Sequence, residues 1–212
     1  MGMAQTLHQF LTEGGIVAWA LVFTGVAGIT FASDRFYYLF NSVKLRSEAG
    51  LAQVFGLIAQ REYLKVIQIC NREVQSPELE VVKAGLLAVD DGREAMKSAL
   101  GSAVLNITRN CERRISALAL IASVATLLGL LGTIVGLIQT FSGLAIEDAL
   151  TKAQILSQGI SQAMSSTAAG LTIGIFTMVC HTLCASRADE IIDISQKTGY
   201  DLIAFIEKSE RG

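Results

Sequence analysis

Hydrophobic residues are grouped in three long tracts that contain no Asp, Glu, Lys or Arg. The tracts cover residues 14–33, 115–146 and 153–186, and they are 20, 32 and 34 residues long. A helix needs about 20 apolar residues to cross the hydrocarbon core of a bilayer. The pattern therefore predicts three transmembrane helices, at residues 14–33, 115–141 and 158–186.

The second and third tracts are longer than one crossing requires. At about 1.5 Å per residue, thirty helical residues extend about 45 Å, whereas the hydrocarbon core is about 30 Å thick. Residues 93–114 contain no helix breaker except Gly101, and apolar residues recur between charges in 187–212. We expect an all-α fold whose second and third helices extend into the cytoplasm, the third through a C-terminal helix at 187–212.

The segment between the first two tracts, residues 34–114, is predicted to form a cytoplasmic helical hairpin region. Apolar residues occur at helical spacing in its first part. These are Leu51, Val54, Phe55, Ile58, Val66 and Ile69. The chain's only proline, Pro77, follows Ser76 and precedes Glu78 and Glu80. This order is typical of an N-cap serine, a first-turn proline and acids that match the helix dipole.

The distribution of cations predicts the orientation. Of 17 Lys and Arg residues, 12 lie in 34–114, four follow the third tract, and one, Lys152, lies in the connection at 142–157. By the positive-inside rule, residues 1–13 and 142–157 are periplasmic, and the N-terminus faces outward. Because residues 1–13 contain no Lys or Arg, they lack the basic part of a cleavable signal peptide, and we expect a retained helix.

Composition narrows the classes of function. Hydrophobic residues make up 51% of the 212, charged residues 17%, and the net charge is −2. Nothing here favours nucleic-acid binding. The segment GLLGTIVG lacks the Lys-Ser/Thr of a phosphate-binding loop, and no nucleophile–base pair is evident. Cys180, His181 and Cys184 are close in sequence, but the His points about 100° away from both thiols. We expect neither an enzyme nor a cofactor or metal site.

Small residues mark one face of each of the last two tracts. Ala125, Gly129, Gly132 and Gly136 share a face of the second, and Ser166, Gly170 and Gly174 form a similar ridge on the third. Without a hydrophobic driving force in lipid, helices associate through close backbone contact, which small residues allow. The two faces are predicted to pack together.

Polar side chains also follow a pattern on these tracts. Thr126, Thr133 and Thr140 recur every seven residues, and Gln158 and Gln162 lie one turn apart, with Ser166 and Thr167 following. The hydroxyls have two explanations: bonding to carbonyls of their own helix, or contact with an ion path or a partner. Buried amides need hydrogen-bond partners, although Gln158 could lie in water outside the bilayer.

The tracts 115–146 and 153–186 contain no side chain that could carry a proton through the membrane, apart from His181. A proton path ordinarily includes an intramembrane ionisable residue. If ions pass here, the titratable group must come from another chain.

These features together resemble the MotA/TolQ/ExbB family of ion-driven motor stators. The resemblance covers nearly the whole chain and is most specific in GLLGTIVGLIQTFSGLA, residues 129–145, and GISQAMSSTAAGL, residues 159–171. It implies an ExbB/TolQ-like homopentameric bundle in the bacterial inner membrane, with a dimer of a single-span ExbD/TolR-like subunit in its pore. It further implies that Thr133 and Thr167 face an aspartate of that partner, which carries the proton.

Three positions depart from the family pattern: Gln162 replaces a frequent Glu, Phe176 a frequent Pro, and His181 with Thr182 a Tyr-Asn pair. Gln162 cannot titrate, so no proton relay passes through it. The leading hypothesis is a proton-driven stator subunit that converts ion motive force into work on the envelope. The alternatives are a non-conducting membrane scaffold, in which Thr and Gln only join helices, and a stator ring that has lost conduction.

Overall fold

The computed structural model describes residues 15–43, 45, 48–73, 75–143 and 149–211, and all regular elements in these ranges are helical. The α-helices are α1, Gly15–Tyr37; α2, Glu48–Ala59; α3, Tyr63–Arg72; α4, Pro77–Leu87; α5, Arg93–Glu112; α6, Ile115–Gly143; and α7, Ala149–Arg211. A π-helical turn, Tyr38–Ser42, follows α1. The predicted all-α fold is confirmed.

Three helical stretches are long and apolar enough to span a membrane. They are Gly15–Ser42, Arg93–Ser142 and Leu150–Lys208, and their most apolar windows have mean hydropathies of 1.9, 2.4 and 1.7. This confirms three long apolar helices. The borders of the membrane at 14–33, 115–141 and 158–186 stay predictions, because a helix can continue beyond the bilayer.

The chain divides into two compact units. The first, the membrane unit, comprises the described residues of 1–34 and 116–182; the second, the helical unit, comprises those of 35–115 and 183–212. The predicted segment 1–13 lies outside the described residues, as do residues 144–148 of the predicted connection 142–157. Within that connection the structure assigns residues 142–143 to α6 and residues 149–157 to α7.

The helical unit packs α2 to α5 and the last part of α7 around one apolar core. Its most buried members include Val66, Leu79, Val82, Ile191 and Leu202. Gly85 of α4 lies against two of these helices: an added Cβ would be 2.6 Å from Leu202 Cδ2 and 2.9 Å from Leu100 Cδ2. The ion pair between Arg93 and Glu207 joins the start of α5 to the end of α7.

The start of α4 follows the sequence prediction in position but differs in one bond. Pro77 is in the first turn, Ser76 is at the N-cap, and Glu78 and Glu80 lie in the first turn. The Ser76 side chain, however, makes no capping bond to the backbone; its Oγ donates to Glu78 Oε2 at 2.8 Å. Since Glu78 is fully buried, this bond satisfies one of its carboxylate oxygens.

Two arginines interrupt helices that the spacing of apolar residues suggested were continuous. Arg61, with φ 59°, separates α2 from α3, and Arg114, with φ 65°, separates α5 from α6. The expectation that the second membrane helix continues without a break from residue 93 is therefore wrong at residues 113–114. Apolar periodicity does not detect such a break, because one left-handed residue leaves the pattern on either side intact. By contrast, α7 is one helix of 63 residues, as predicted for the third tract and its C-terminal extension.

Candidate functional site

Backbone contact between α6 and α7 is the defining feature of the membrane unit. A Cβ added to Gly170 would lie 2.6 Å from both Gly129 Cα and the Ala125 carbonyl oxygen, and one added to Gly129 would lie 3.0 Å from Gly170 Cα. Farther along, a Cβ on Gly136 would lie 3.2 Å from Ala163 Cβ. Only glycine permits the approach at Gly129 and Gly170, because backbone lies on both sides.

Three of the predicted polar residues are part of this same helix contact. Ser166 faces Gly132, where an added Cβ would lie 2.5 Å from Ser166 Cβ, and Thr126 faces Gly174, where the added Cβ would lie 2.6 Å from Thr126 Oγ1. Thr140 lies over Gly159, so closely that any Cβ there would overlap its Oγ1. The helices thus pair antiparallel; Gly132, Gly159 and Gly174 each lie opposite a larger residue, and Gly129 lies opposite Gly170.

The hydroxyls at this contact bond to carbonyls of their own helices. Thr126 Oγ1 donates to Ala122 O at 3.0 Å, Thr140 Oγ1 to Gly136 O at 2.7 Å, and Ser166 Oγ to Gln162 O at 3.2 Å. Thr140 and Ser166 are 4% and 3% exposed. Such bonds satisfy a hydroxyl at little cost, so packing between helices accounts for these three residues.

Thr133 and Thr167 differ from these three. Thr167 Oγ1 donates across the helix pair to Gly129 O at 3.1 Å. Thr133 Oγ1 donates to Leu130 O, three residues earlier on its own helix, and the side chain is partly exposed. Of the two, Thr133 can exchange its local bond for an external acceptor without breaking a contact between helices.

Gln162 lines a polar cleft at the end of the helix pair nearest the connection between α6 and α7. The cleft has a volume of about 300 Å³ and is lined by Gly136, Gln139, Thr140, Ile155, Gln158, Gly159 and Gln162. Three amides, none of which titrates, therefore face one space. The sequence singled out Gln158 and Gln162 but missed Gln139, whose signal was a polar side chain in an otherwise apolar stretch.

Helix α1 joins the pair through glycines that the sequence interpretation also missed. An added Cβ on Gly28 would lie 2.9 Å from Thr177 Oγ1 and 3.3 Å from Ile121 Cγ2, and one on Gly25 would lie 3.2 Å from Ile173 Cδ1. Their spacing, two small residues three apart in an apolar helix, is the signal that could have identified them.

Large apolar side chains cover the outer surface of all three helices. On α6 and α7 the most exposed include Leu127, Ile138, Phe141, Met164 and Ile175, each more than 59% exposed. On α1, Trp19 and Phe23 are 61% and 77% exposed. An apolar surface of this extent requires lipid or protein around it, and it identifies a membrane protein.

Residues 115–143 of α6 and 153–186 of α7 include no Asp, Glu, Lys or Arg, although α7 carries Cys180, His181 and Cys184. In the described ranges, no three His, Cys, Asp or Glu side chains are placed to hold a metal ion. Hydroxyls and amides are the most numerous polar groups that these two segments offer.

Comparison with known proteins identifies the family. The sequence profile of the MotA/TolQ/ExbB proton channel family matches residues 73–197, more than half of the chain, so the chain belongs to this family. An ExbB homolog of Methanothermobacter thermautotrophicus is 24% identical over 191 residues, which cover 89% of this chain and 66% of the relative. An ExbB-like protein of Synechocystis sp. is 25% identical over 198 residues, covering 92% and 77%. Both relatives are named for biopolymer transport. The resemblance seen in the sequence is confirmed, and it indicates a channel subunit of the MotA/TolQ/ExbB type.

Proposed function

We propose that this chain is a stator subunit in the bacterial inner membrane that, with a single-span ExbD/TolR-like partner, converts ion motive force into mechanical work on the cell envelope. The ion is the proton, as in the description of the family. The observation that carries the proposal is the close packing of α6 against residues 153–186 of α7, a pair of segments without Asp, Glu, Lys or Arg that bears Thr133 and Thr167. The complex moves ions and makes no covalent bond.

The partner supplies the carboxylate that the membrane segments of α6 and α7 lack. An ion path through a membrane needs a group that binds the ion in the low-dielectric core, and residues 115–143 and 153–186 include no carboxylate or amine. A membrane aspartate of the partner fills this role. Thr133 and Thr167 donate hydrogen bonds to that carboxylate when it is ionised and accept its proton's hydrogen bond when it is neutral, since a hydroxyl does both.

A homopentameric ring is the proposed assembly, as the likeness to the family implies. The outward apolar side chains of α6 and α7, such as Leu127 and Ile175, suit contacts with lipid or with neighbouring copies. Thr133 is partly exposed on the same helix as Leu127. In the proposed ring it faces the central pore, where a dimer of the partner binds.

The proposed orientation places the N-terminus in the periplasm and the C-terminus in the cytoplasm. It rests on the 12 cations of residues 34–114 against the single Lys152 between the second and third spans. The helical unit, including the last part of α7, is then cytoplasmic, and the amide cleft at Gln162 opens toward the periplasm.

A second function, a membrane scaffold that conducts no ions, is favoured by one observation. Thr126, Thr140 and Ser166 all bond within the helix pair, so most of the ordered hydroxyls need no ion to explain them. A related possibility is a ring that has lost conduction, suggested by Gln162. The variant Gln162→Glu tests this possibility. If the ion flux is the same with Gln and with Glu at this position, the residue is irrelevant to conduction.

Thr133→Val provides the decisive test of ion coupling. It keeps shape but removes the hydroxyl, whose only described hydrogen bond is to its own helix. Thr172→Val is the matched control, since Thr172 Oγ1 is exposed and donates to Ala168 O at 2.8 Å in the same local manner. Both variants are assembled with the partner in liposomes, and proton flux is read with a pH-sensitive dye.

We expect Thr133→Val to abolish flux while the complex keeps its size, and Thr172→Val to leave flux unchanged. Flux that survives Thr133→Val contradicts the proposed role of the hydroxyl. Loss of flux together with loss of assembly supports the scaffold instead. Thr167→Val is less clean because it also breaks the 3.1 Å bond to Gly129 O; Thr167→Ser restores that donor and serves as its control.

A further inference from the structure

The helical unit contains a polar cleft that the ion-coupling site does not use. It has a volume of about 200 Å³ and lies where the π-helical turn, the start of α4 and the end of α5 meet. Its polar lining consists of Tyr38, Ser42, Gln75, Glu80, Asn110 and Cys111. We call it the Glu80 cleft.

The π-helical turn Tyr38–Ser42 shapes one wall of this cleft. The turn inserts an additional residue into the helical register, so that Leu39 is fully buried in the core while Tyr38 and Ser42 line the cleft. The turn ends at Val43, which is extended. One wall of the cleft is thus formed by the π-helical end of the first helix.

The floor of the cleft is apolar and its rim is polar. Val43 and Ile107 are buried, as is Pro77, whereas the side chains of Gln75, Glu80 and Asn110 remain exposed to solvent. A concave apolar floor with a few convergent polar groups is the usual form of a small-ligand site. At about 30 Å³ for each water-sized group, the space accommodates six or seven such groups.

Among the described residues of the lining, Glu80 is the one that carries a charge. Burial raises the pKa of the Cys111 thiol to about 11, so the thiol stays neutral near pH 7. Burial also raises the pKa of the Glu80 carboxyl, although Lys83 acts in the opposite direction. The Lys83 ammonium donates to Asn71 Oδ1 at 2.7 Å. The Glu80 backbone N–H donates to Ser76 O at 3.2 Å, but no hydrogen bond or ion pair joins the Glu80 carboxylate to another residue in the described part of the chain.

Arg35, a second described cation near the cleft, is engaged behind the wall. Arg35 is 6% exposed, its Nη1 donates to the Asn110 carbonyl oxygen at 3.2 Å, and its guanidinium lies 5.0 Å from the centre of the Tyr38 ring. It is not part of the lining. The rim at Glu80 therefore offers a partly dehydrated carboxylate with amide oxygens beside it, a combination suited to a cation with several N–H donors.

We propose that the Glu80 cleft is a binding site for a small organic primary ammonium compound. The ammonium group donates to the Glu80 carboxylate and to the amide oxygens of Gln75 and Asn110. The alkyl part covers the floor formed by Val43, Pro77 and Ile107. The site shares no residue with the proposed ion-coupling site at Thr133 and Thr167. A negative result for either proposal therefore leaves the other unaffected.

Calorimetric titration of the full-length chain in detergent with n-butylammonium chloride tests the site. n-Butanol is the ligand control, since it keeps the alkyl chain and lacks the charge and two of the donors. Glu80→Gln removes the charge at almost unchanged shape. Glu94→Gln is the matched protein control: Glu94 is 88% exposed, pairs with Lys97 at 3.3 Å, and is not part of the cleft lining.

We expect saturable binding of butylammonium with a Kd of about 0.1–10 mM, as the small number of ligand atoms dictates. Glu80→Gln weakens it at least about tenfold, equivalent to about 1.4 kcal/mol, while Glu94→Gln leaves it unchanged. Equal affinity in both variants, equal affinity for n-butanol, or no saturable binding at about 50 mM overturns the proposal. If Glu80→Gln and Glu94→Gln change the heat of binding equally, the signal comes from general charge or detergent effects. That result also overturns the proposal.

Discussion

Gly170→Ala is predicted to force α6 and α7 apart at their closest point. The new Cβ would lie 2.6 Å from the Ala125 carbonyl oxygen and 2.6 Å from Gly129 Cα, whereas ordinary contacts begin at 3.4 Å. Neither neighbour is a side chain that can rotate away. The two backbones must therefore separate by roughly 1 Å, which loses dispersion contacts along the pair.

The magnitude combines two destabilising terms and one stabilising term. Overpacking of this kind typically costs about 1–3 kcal/mol, and separation weakens the bond from Thr167 to Gly129 O, worth about 0.6 kcal/mol in a membrane. Alanine in place of glycine contributes up to about 1 kcal/mol of helix propensity in the stabilising direction. We expect a net loss of about 1–2 kcal/mol in the free energy of unfolding.

Steric trapping in detergent micelles measures this free energy. Gly25→Ala is the control within the membrane unit, because its Cβ would meet only the flexible Ile173 side chain, at 3.2 Å from Cδ1. Gly25→Ala should be neutral or stabilising. A Gly170→Ala protein as stable as the Gly25→Ala protein refutes the reasoning that backbone contact at Gly129 and Gly170 holds the helices together.

Three further predictions concern other parts of the chain. Gly159→Ala should destabilise the membrane unit by about 1–3 kcal/mol because Thr140 Oγ1 occupies the space of the new methyl group, and adding Thr140→Ala should recover most of the loss in the same unfolding assay. Burial raises the pKa of the Cys111 thiol from 9.0 to about 11, so the unfolded chain loses this proton at a lower pH than the folded chain. The free energy of unfolding should therefore fall as pH rises from 9.0 to about 11. The Cys111→Ala protein should lack this part of the decrease. Arg61→Gly should stabilise the helical unit by about 1 kcal/mol in thermal unfolding, since Arg61 has φ 59° and glycine adopts this conformation without strain. The control Gln60→Gly changes a residue outside the left-handed region and should not stabilise the unit.

The sequence was sufficient to predict the three apolar helices and part of the small-residue surface at the α6–α7 contact, but not Gly159 or Ala163. Both depend on local signals: a tract without charge must lie in lipid or protein, and small residues at helical spacing mark the face that approaches another helix. The structure brings Gly129, Gly170 and Ser166 together in the predicted pair. The predicted pore roles of Thr133 and Thr167 stay predictions, because they depend on chains outside this one.

The breaks at Arg61 and Arg114 could not be found in the same way. A single left-handed residue changes the direction of the chain without altering apolar periodicity, and arginine is not a residue type that favours it. The π-helical turn after α1 and the Glu80 cleft were missed for a related reason. The cleft joins Tyr38, Glu80 and Cys111, which are far apart in sequence, and only tertiary packing places them side by side.

The hydroxyl pattern shows how structure divides a set that the sequence presents as uniform. Thr126, Thr133 and Thr140 recur at a seven-residue spacing, yet two of them face glycines of α7 while Thr133 does not appear in that contact. Residues seven apart differ by only about 20° around a helix axis, so spacing along α6 does not separate the three threonines. Thr126 and Thr140 have Gly174 and Gly159 of α7 opposite them, which the sequence of α6 alone does not show.

Native mass spectrometry shows directly whether this chain forms the proposed complex with a single-span partner. The chain is expressed with a single-span protein that carries a membrane aspartate, extracted in detergent, and weighed intact. We expect a complex of five copies of this chain with two copies of the partner. The Thr133→Val variant should form the same pentamer. A monomer or dimer that does not bind the partner would contradict the proposed stator and leave a membrane scaffold as the better explanation.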